Sequence, residues 1–146
     1  MEDVESVVGE SPPLLKDLWN IAIKVRDLEA ELEFLKRCGA TDIVRDSVAN
    51  GSKNEEFAML RLGHERILLF PHVVYESELP EPMHFGLTHA VFEVEDLDKV
   101  LEDYASRGIS PVWGPKEVSA SFGRRRIAFF RSPSGFVFEA EQPLKP

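Results

Sequence analysis

The sequence predicts an α+β protein built from two β-α-β-β-β modules, and two observations lead to this prediction. First, residues 20–39 and 89–108 match at one constant offset, which aligns Val25 with Val94. An internal repeat of this kind indicates two copies of one supersecondary unit. Second, apolar residues alternate at the start of each copy and then recur at helical spacing. Each copy therefore begins as a strand followed by a helix.

The repeat also divides the chain. Residues 17–71 are predicted to form the first module and residues 88–143 the second. Residues 71–85 contain three prolines and lack a sustained period, so residues 72–87 are expected to form the crossover between modules. Residues 1–16 are acidic and contain Pro12-Pro13, which predicts a flexible N-terminal tail.

The first module opens with a half-buried strand at residues 19–25, where Ile21 and Ile23 share the apolar face. Asp27 is a plausible N-cap, and acidic residues follow it in the first turn, where the helix dipole favours anions. Gly39 is placed to end this helix in a left-handed conformation. Three further strands are predicted, at residues 41–45, 56–62 and 65–70.

The second module repeats this order. A strand is predicted at residues 89–94, and Asp96 is expected to cap the helix that follows. Leu97, Val100 and Leu101 form the apolar face of that helix. The remaining strands are predicted at residues 110–113, 126–131 and 136–141.

Composition excludes several classes of protein. The formal net charge of −9 argues against nucleic-acid binding, because phosphate contacts need clustered Lys and Arg. The one basic run, Arg124 to Arg126, is interpreted as a solvated strand entry. No apolar stretch has the length of a membrane span, and no signal peptide is expected. The single cysteine, Cys38, is compatible with a reducing cytoplasm, which is the expected location.

Polar residues occupy the strand faces that point away from the predicted helices. They are Asn20 and Lys24, His89 and Glu93, and Glu139 and Glu141. Charged side chains are costly in a dry interior, so these faces are predicted to line a wet cavity. His89 and Glu139 in such a cavity form a candidate metal or acid–base site. The alternative is that both are ordinary wall or surface residues.

These residues resemble a known family. The segments Val94-Glu95-Asp96-Leu97 and 129–135 (Phe-Phe-Arg-Ser-Pro-Ser-Gly), with a final strand that carries Glu139, are similar to the vicinal oxygen chelate superfamily. That superfamily includes glyoxalase I, methylmalonyl-CoA epimerase, extradiol dioxygenases and bleomycin-binding proteins. The resemblance implies that the sheets of both modules curl into a mixed-sheet cup around a divalent metal. It also implies a homodimer.

The resemblance places the metal ligands on the first and last strands of both modules. In this sequence, those positions are Asn20, Leu68, His89 and Glu139. His89 and Glu139 match the family pattern and are the predicted metal ligands and catalytic residues. Asn20 and Leu68 depart from it, which disfavours the four-ligand glyoxalase I reaction. His72 is a weaker candidate for a further ligand.

Two main functions remain open from the sequence, beside that of a structural or accessory protein that uses the dimer surface. The first is a lyase, isomerase or dioxygenase that acts on a small oxygen-rich molecule, with one divalent ion (Fe, Mn, Ni or Zn) or with His89 and Glu139 as an acid–base pair. No nucleotide cofactor is expected. The second is a non-catalytic, bleomycin-resistance-type protein that binds an antibiotic or drug, with apolar walls from Trp19, Trp113, Phe70 and Phe122. The predicted substrate-binding residues are Asn20, Lys24, Arg66, Leu68, Glu93, Trp113 and Glu141.

Overall fold

The computed structural model describes residues 14–50, 52–73 and 75–146. Most of the predicted tail lies outside these described residues. The first module contains β1 (Leu18–Lys24), α1 (Leu28–Arg37), β2 (Thr41–Asn50), β3 (Lys53–Leu62) and β4 (Glu65–Phe70). The second contains β5 (Gly86–Glu93), α2 (Leu97–Ser106), β6 (Trp113–Ala120), β7 (Gly123–Arg131) and β8 (Val137–Pro143). A short 3₁₀ turn, Glu76–Glu78, lies between the modules.

The eight strands form one mixed sheet that closes on itself within a single chain, in the order β1-β4-β3-β2-β6-β7-β8-β5. In each module the first strand pairs parallel with the last: β1 with β4, and β5 with β8. The modules meet where β1 pairs antiparallel with β5, and again where Ala49 on β2 pairs with Ser119 on β6. The predicted α+β fold with two β-α-β-β-β modules is confirmed.

Equivalent side chains begin and end the two helices. The Asp27 carboxylate accepts a hydrogen bond from the Ala30 N–H at 3.1 Å, and Asp96 accepts one from the Lys99 N–H at 3.3 Å. Gly39 and Gly108 follow the helices with φ values of 100° and 80°. Only glycine adopts this conformation without steric cost, so both helices end at the positions that the repeat predicts.

The helices cover the outside of the sheet, and each packs against its own module. Leu28, Leu32 and Leu35 of α1 contact Ile67 and Leu69 of β4. On the other module, Leu97 and Val100 of α2 pack with Ala128, Phe130 and Ala140. Within the described part of the chain, no helix is long and apolar enough to span a membrane.

Several strand ends differ from the sequence prediction. Strand β2 extends to Asn50, and β3 begins at Lys53, which leaves a shorter turn than expected. The strand predicted at residues 110–113 is instead β6, which begins at Trp113 and continues to Ala120. This strand is rich in polar residues, so the pattern of apolar residues in the sequence does not indicate it. Hydrogen bonding to β7, from Ala120↔Gly123 to Trp113↔Phe129, determines its conformation.

The crossover segment between β4 and β5, described at residues 71–73 and 75–85, folds over one mouth of the closed sheet. The Lys24 ammonium contacts the Glu76 carboxylate at 2.5 Å, and both side chains are largely buried. Tyr75 is buried and stacks on Trp113 with the ring centroids 4.5 Å apart. These contacts close the interior of the sheet at this end.

Candidate active site

The closed sheet encloses a small cavity, which we call the inner cavity. Its volume is about 60 Å³, enough for a water molecule or two. Most of its wall is apolar, and its polar side chains come from β1, β5 and β8. These polar side chains are Asn20, His89, Glu139 and Glu141.

Strand pairing shows which positions are equivalent in the two modules. Ala22 pairs with Leu68 across β1 and β4, and Val91 pairs with Glu139 across β5 and β8. Because Ala22 and Val91 are equivalent in the repeat, Leu68 occupies the position of Glu139. Asn20 corresponds in the same way to His89. The structure therefore brings all four positions implied by the family resemblance to one cavity wall.

His89 and Glu139 are in direct contact in this cavity. The distance from His89 Nε2 to Glu139 Oε1 is 3.3 Å, and both residues are 5% exposed. Desolvation lowers the pKa of His89 to about 3 and raises the pKa of Glu139 to about 8. Near neutral pH both groups are therefore uncharged, and the contact brings a protonated carboxyl beside a neutral imidazole.

Thr88 determines which imidazole nitrogen carries the proton. The Thr88 hydroxyl donates to the Ala22 carbonyl at 2.9 Å and lies 2.8 Å from His89 Nδ1. Since that hydroxyl proton is already engaged, Nδ1–H must donate to the Thr88 oxygen. Nε2 is then the unprotonated ring nitrogen, and it lies beside the Glu139 carboxyl. This assignment follows from the hydrogen-bond network.

A second carboxyl extends the polar cluster. Burial raises the pKa of Glu141 to about 8, and proximity to Glu139 adds to the increase. Arg125 opposes this effect, because its Nε donates to Glu141 Oε1 at 3.0 Å. Glu139 and Glu141 also share a hydrogen bond, so they titrate as a coupled pair.

Arg125 is one of the polar residues whose role the sequence does not reveal. Only 11% of its side chain is exposed, and its guanidinium lies 4.7 Å from the centroid of the Phe122 ring. The interpretation of the basic run as solvated is thus wrong for this residue. Alternation along β7 contained the signal, because Arg125 shares a face with Ile127 and Phe129, whereas Arg126 points outward to Asp98 on α2.

Four of the predicted substrate-binding residues lie outside the inner-cavity wall. Lys24 is held by Glu76 at the mouth, and Arg66 lies over the Trp19 ring, with its guanidinium donating to the Trp19 carbonyl at 2.9 Å. Trp113 is buried behind Tyr75, and Glu93 is half-buried at the end of β5. The remaining three, Asn20, Leu68 and Glu141, do line the cavity.

Some of the other candidate residues line the inner cavity and others do not. Trp19, Phe70 and Phe122 line the inner cavity, and the Trp19 and Phe122 ring centroids are 5.5 Å apart. His72 is exposed and lies away from this wall. Tyr75, which the sequence did not single out, closes one side of the cavity. Its hydroxyl has a pKa raised well above the usual value by burial.

The inner cavity has too few metal-binding side chains to hold a resident divalent metal. Of the four positions, His89 and Glu139 supply metal donors and Leu68 supplies none, while the Asn20 amide donates to the neighbouring Ile21 carbonyl at 3.1 Å. Across residues 14–50, 52–73 and 75–146, no three His, Cys, Asp or Glu side chains are grouped to hold a metal ion. Catalytic metals in proteins are generally held by three protein ligands.

A closed mixed sheet with a polar cluster in an apolar interior defines a class of small-molecule site. Comparison with known proteins identifies the family: residues 18–140 match the Glyoxalase/Bleomycin resistance protein/Dioxygenase superfamily, and the chain belongs to it. The family resemblance seen in the sequence is thereby confirmed. Among curated proteins, none matches the sequence.

Solved structures show the same fold. Methylmalonyl-CoA epimerase from Mycobacterium tuberculosis has a TM-score of 0.67 at 20% identity and covers 96% of both chains. A Streptomyces coelicolor methylmalonyl-CoA epimerase variant in complex with 2-nitronate-propionyl-CoA has a TM-score of 0.65 at 20% identity, covering 90% of this chain and 99% of that one. The hypothetical protein BH1468 from Bacillus halodurans C-125 has a TM-score of 0.66 at 16% identity, covering 89% and 96%.

Proposed function

We propose that this protein is an isomerase or lyase that shifts a proton on a small, oxygen-rich organic molecule. The observation that carries the proposal is the buried contact of 3.3 Å between His89 Nε2 and Glu139 Oε1. It places a carboxyl that is protonated near neutral pH beside the lone pair of a neutral imidazole. This contact supports the assignment of Glu139 as a general acid and His89 as a general base.

In the proposed reaction, Glu139 gives its proton to a carbonyl oxygen of the substrate, while His89 Nε2 takes a proton from the adjacent carbon. The product of this step is an enol, flanked by a carboxylate and an imidazolium. In the return step Glu139 recovers the oxygen-bound proton, and His89 delivers its proton to carbon. Both residues end in their starting states. Structural similarity to proteins named as epimerases supports the proposal, because epimerisation beside a carbonyl is a proton transfer.

Hydrogen–deuterium exchange tests this proposal directly. Small 2-oxo acids and hydroxyketones would be incubated with the protein in deuterated water, and loss of the C–H signal would be followed by proton NMR. We expect Glu139→Gln and His89→Gln each to slow exchange by about 100-fold or more. Glu95→Gln is the matched control, because that side chain is 81% exposed on the outside of the module.

The pH profile supplies a second readout. The rate should fall as pH rises through about 8, because Glu139 then loses the proton that it must donate. Exchange that continues at the wild-type rate in both variants contradicts the proposal. Absence of exchange with every compound in the panel also contradicts it.

A metal-dependent lyase, isomerase or dioxygenase is the second candidate. It is favoured by the convergence of His89 and Glu139, the two residues that match the ligand pattern of the family, and weakened by the shortage of donors around them. Elemental analysis of protein purified without chelator separates the two forms. Stoichiometric Fe, Mn, Ni or Zn that disappears in His89→Ala and Glu139→Ala supports metal dependence, and metal-free wild type excludes it.

A non-catalytic drug-binding protein is the candidate from another class. It is favoured by the aromatic rings of Trp19 and Phe122 beside the inner cavity, and it requires that cavity to widen when the drug binds. A ligand that binds only the folded state raises the unfolding temperature. Stabilisation by a bulky aromatic antibiotic, with no exchange in the NMR assay, would support this reading.

We also propose a homodimer. Since the sheet closes within one chain, a partner is not needed to complete the inner cavity. Size-exclusion chromatography with light scattering tests the dimer. A molar mass twice the 16.5 kDa of the chain supports it, and the mass of a single chain contradicts it.

A further inference from the structure

A second cavity lies at the mouth of the second module, and we call it the outer cavity. Its volume of about 290 Å³ approaches the range of roughly 300–1,000 Å³ that is typical of small-molecule sites. The crossover segment covers one side, and the ends of β5, β7 and β8 form the other. The inner cavity, by contrast, is too small to hold a substrate on its own.

His89 connects the two cavities, because it lines both. Phe129 lines the outer cavity and meets the His89 ring edge-on, with the centroids 4.9 Å apart. A molecule in the outer cavity therefore lies against the histidine that pairs with Glu139. The outer cavity can hold the body of a molecule whose reacting atoms are at His89.

Apolar side chains dominate the wall of the outer cavity, and some of them are exposed. Leu87 is 68% exposed and Val112 is 40% exposed, although both are aliphatic residues at the rim. Covering such side chains removes apolar surface from water, which favours binding of an apolar ligand. Val137 and Leu79 extend the same surface.

One cation stands at this rim. Arg131 is the last residue of β7, on the same face of the strand as Phe129, and its Nη1 lies 2.9 Å from Glu81 Oε2. Both side chains are substantially exposed, at 44% and 63%. Exposed ion pairs of this kind contribute little to stability, so a ligand carboxylate can replace Glu81 at low cost.

We propose that the outer cavity binds an amphiphilic carboxylate, with its anionic group on Arg131 and its apolar body extending past Leu87 and Phe129 to His89. The substrate class is then a molecule in which an apolar spacer separates the carboxylate from the reacting carbon. This inference deepens the proposed function and rests on it only for turnover. Binding of the carboxylate is a separate claim with its own test.

Isothermal titration calorimetry with sodium octanoate, 1-octanol and sodium acetate tests the binding claim on the full chain. Octanoate should bind at least about tenfold more tightly than octanol, because a charge-assisted hydrogen bond contributes on that scale. Acetate lacks the apolar body and should bind more weakly than octanoate. Raising the salt concentration should weaken octanoate binding and leave octanol binding unchanged.

Variants assign the effect to residues. Arg131→Gln should remove the preference for octanoate over octanol, and Glu81→Gln should tighten octanoate binding about threefold by removing the competing carboxylate. Arg126→Gln is the matched control, since Arg126 lies on the same strand but faces α2. Leu87→Ser should weaken octanoate and octanol alike. It is exposed, so the fold should tolerate it.

Three outcomes overturn the inference: no binding of octanoate, equal affinity for octanoate and octanol, or unchanged octanoate binding in Arg131→Gln. Each of them is independent of catalysis. Octanoate binding without proton exchange on any substrate leaves this site standing and contradicts the proposed function. Proton exchange without octanoate binding supports the proposed function and overturns the carboxylate site.

Discussion

The two modules differ in charge chemistry at three pairs of equivalent positions in the inner cavity, where the second module has ionisable side chains and the first has none. The pairs are Asn20 and His89, Leu68 and Glu139, and Phe70 and Glu141. The helices, caps and strand pairings of the two modules are nevertheless alike. The ladder of backbone hydrogen bonds does not depend on the side chains that face the cavity. The two modules therefore share one fold although these side chains differ.

The first module still affects the chemistry of the second. Ala22, Leu68 and Phe70 of the first module line the cavity that holds His89 and Glu139. Desolvation is the largest cause of the altered pKa of both groups. The first module thus keeps the pair uncharged by excluding water, which ionisable side chains at its three positions would oppose.

The largest effect that we predict is a difference in stability loss when equivalent buried residues of the two modules are truncated. Phe129→Ala removes a fully buried ring that contacts Tyr75, Trp113 and His89, and should lower the free energy of unfolding by about 3–5 kcal/mol. Met59 occupies the equivalent position and is only partly buried. Met59→Ala should cost less than half as much. Urea denaturation measures both, and equal losses would contradict the comparison.

Introducing metal-binding side chains into the first module should remove the difference between the two modules. The double variant Asn20→His with Leu68→Glu places four ligand-type side chains at the equivalent positions. We expect it to bind Zn²⁺ or Ni²⁺, with a stabilisation of about 2.7 kcal/mol when the free metal is at 100 times the dissociation constant. Thermal unfolding with and without metal measures this effect. The Asn20→His variant is the control, and a double variant that does not respond to metal would show that the four positions do not converge.

The pH dependence of stability should report the buried carboxyls. The pKa of Glu139 rises from 4.5 to about 8 on folding, so the folded state binds more protons between these values and loses stability as pH rises through them. The pKa of His89 falls from 6.5 to about 3, so its opposite contribution is complete above pH 6.5. Stability should therefore fall from pH 6.5 to 8.

Glu139→Gln isolates this effect. The variant should flatten the decline by up to about 1.4 kcal/mol per pH unit, the free energy linked to one proton. Urea denaturation at several pH values measures the slope, with Glu95→Gln as the exposed control. A decline of the same slope in Glu139→Gln would show that this carboxyl is not buried in its protonated form.

The smallest predicted effect concerns the helix N-caps, a feature in which the two modules should behave alike. Asp27→Ala and Asp96→Ala remove equivalent N-caps, and each should lower the free energy of unfolding by about 1 kcal/mol. Thermal unfolding of the two variants measures both losses. A much larger loss in one of them would show that the modules differ in architecture as well as in chemistry.

Much of the fold follows from local sequence. The offset between repeats, the aspartate caps and the glycines that end both helices are read directly from neighbouring residues, and all are found in the structure. The position of β6 is not evident from local sequence, because Lys116, Glu117 and Ser119 are polar and only pairing with β7 makes this segment a strand. Local periodicity reports burial on one face, and it fails where cross-strand hydrogen bonds decide the conformation.

The candidate site divides in the same way. Side-chain type and strand alternation alone were enough to place His89, Glu139 and Glu141 on the face away from the helices. The burial of Arg125, the role of Thr88 and the pairing of Lys24 with Glu76 appear only in three dimensions. Hydrogen-bond partners and water exclusion depend on residues far apart in the chain, so only the tertiary structure determines which polar groups of the two modules meet and in which protonation states.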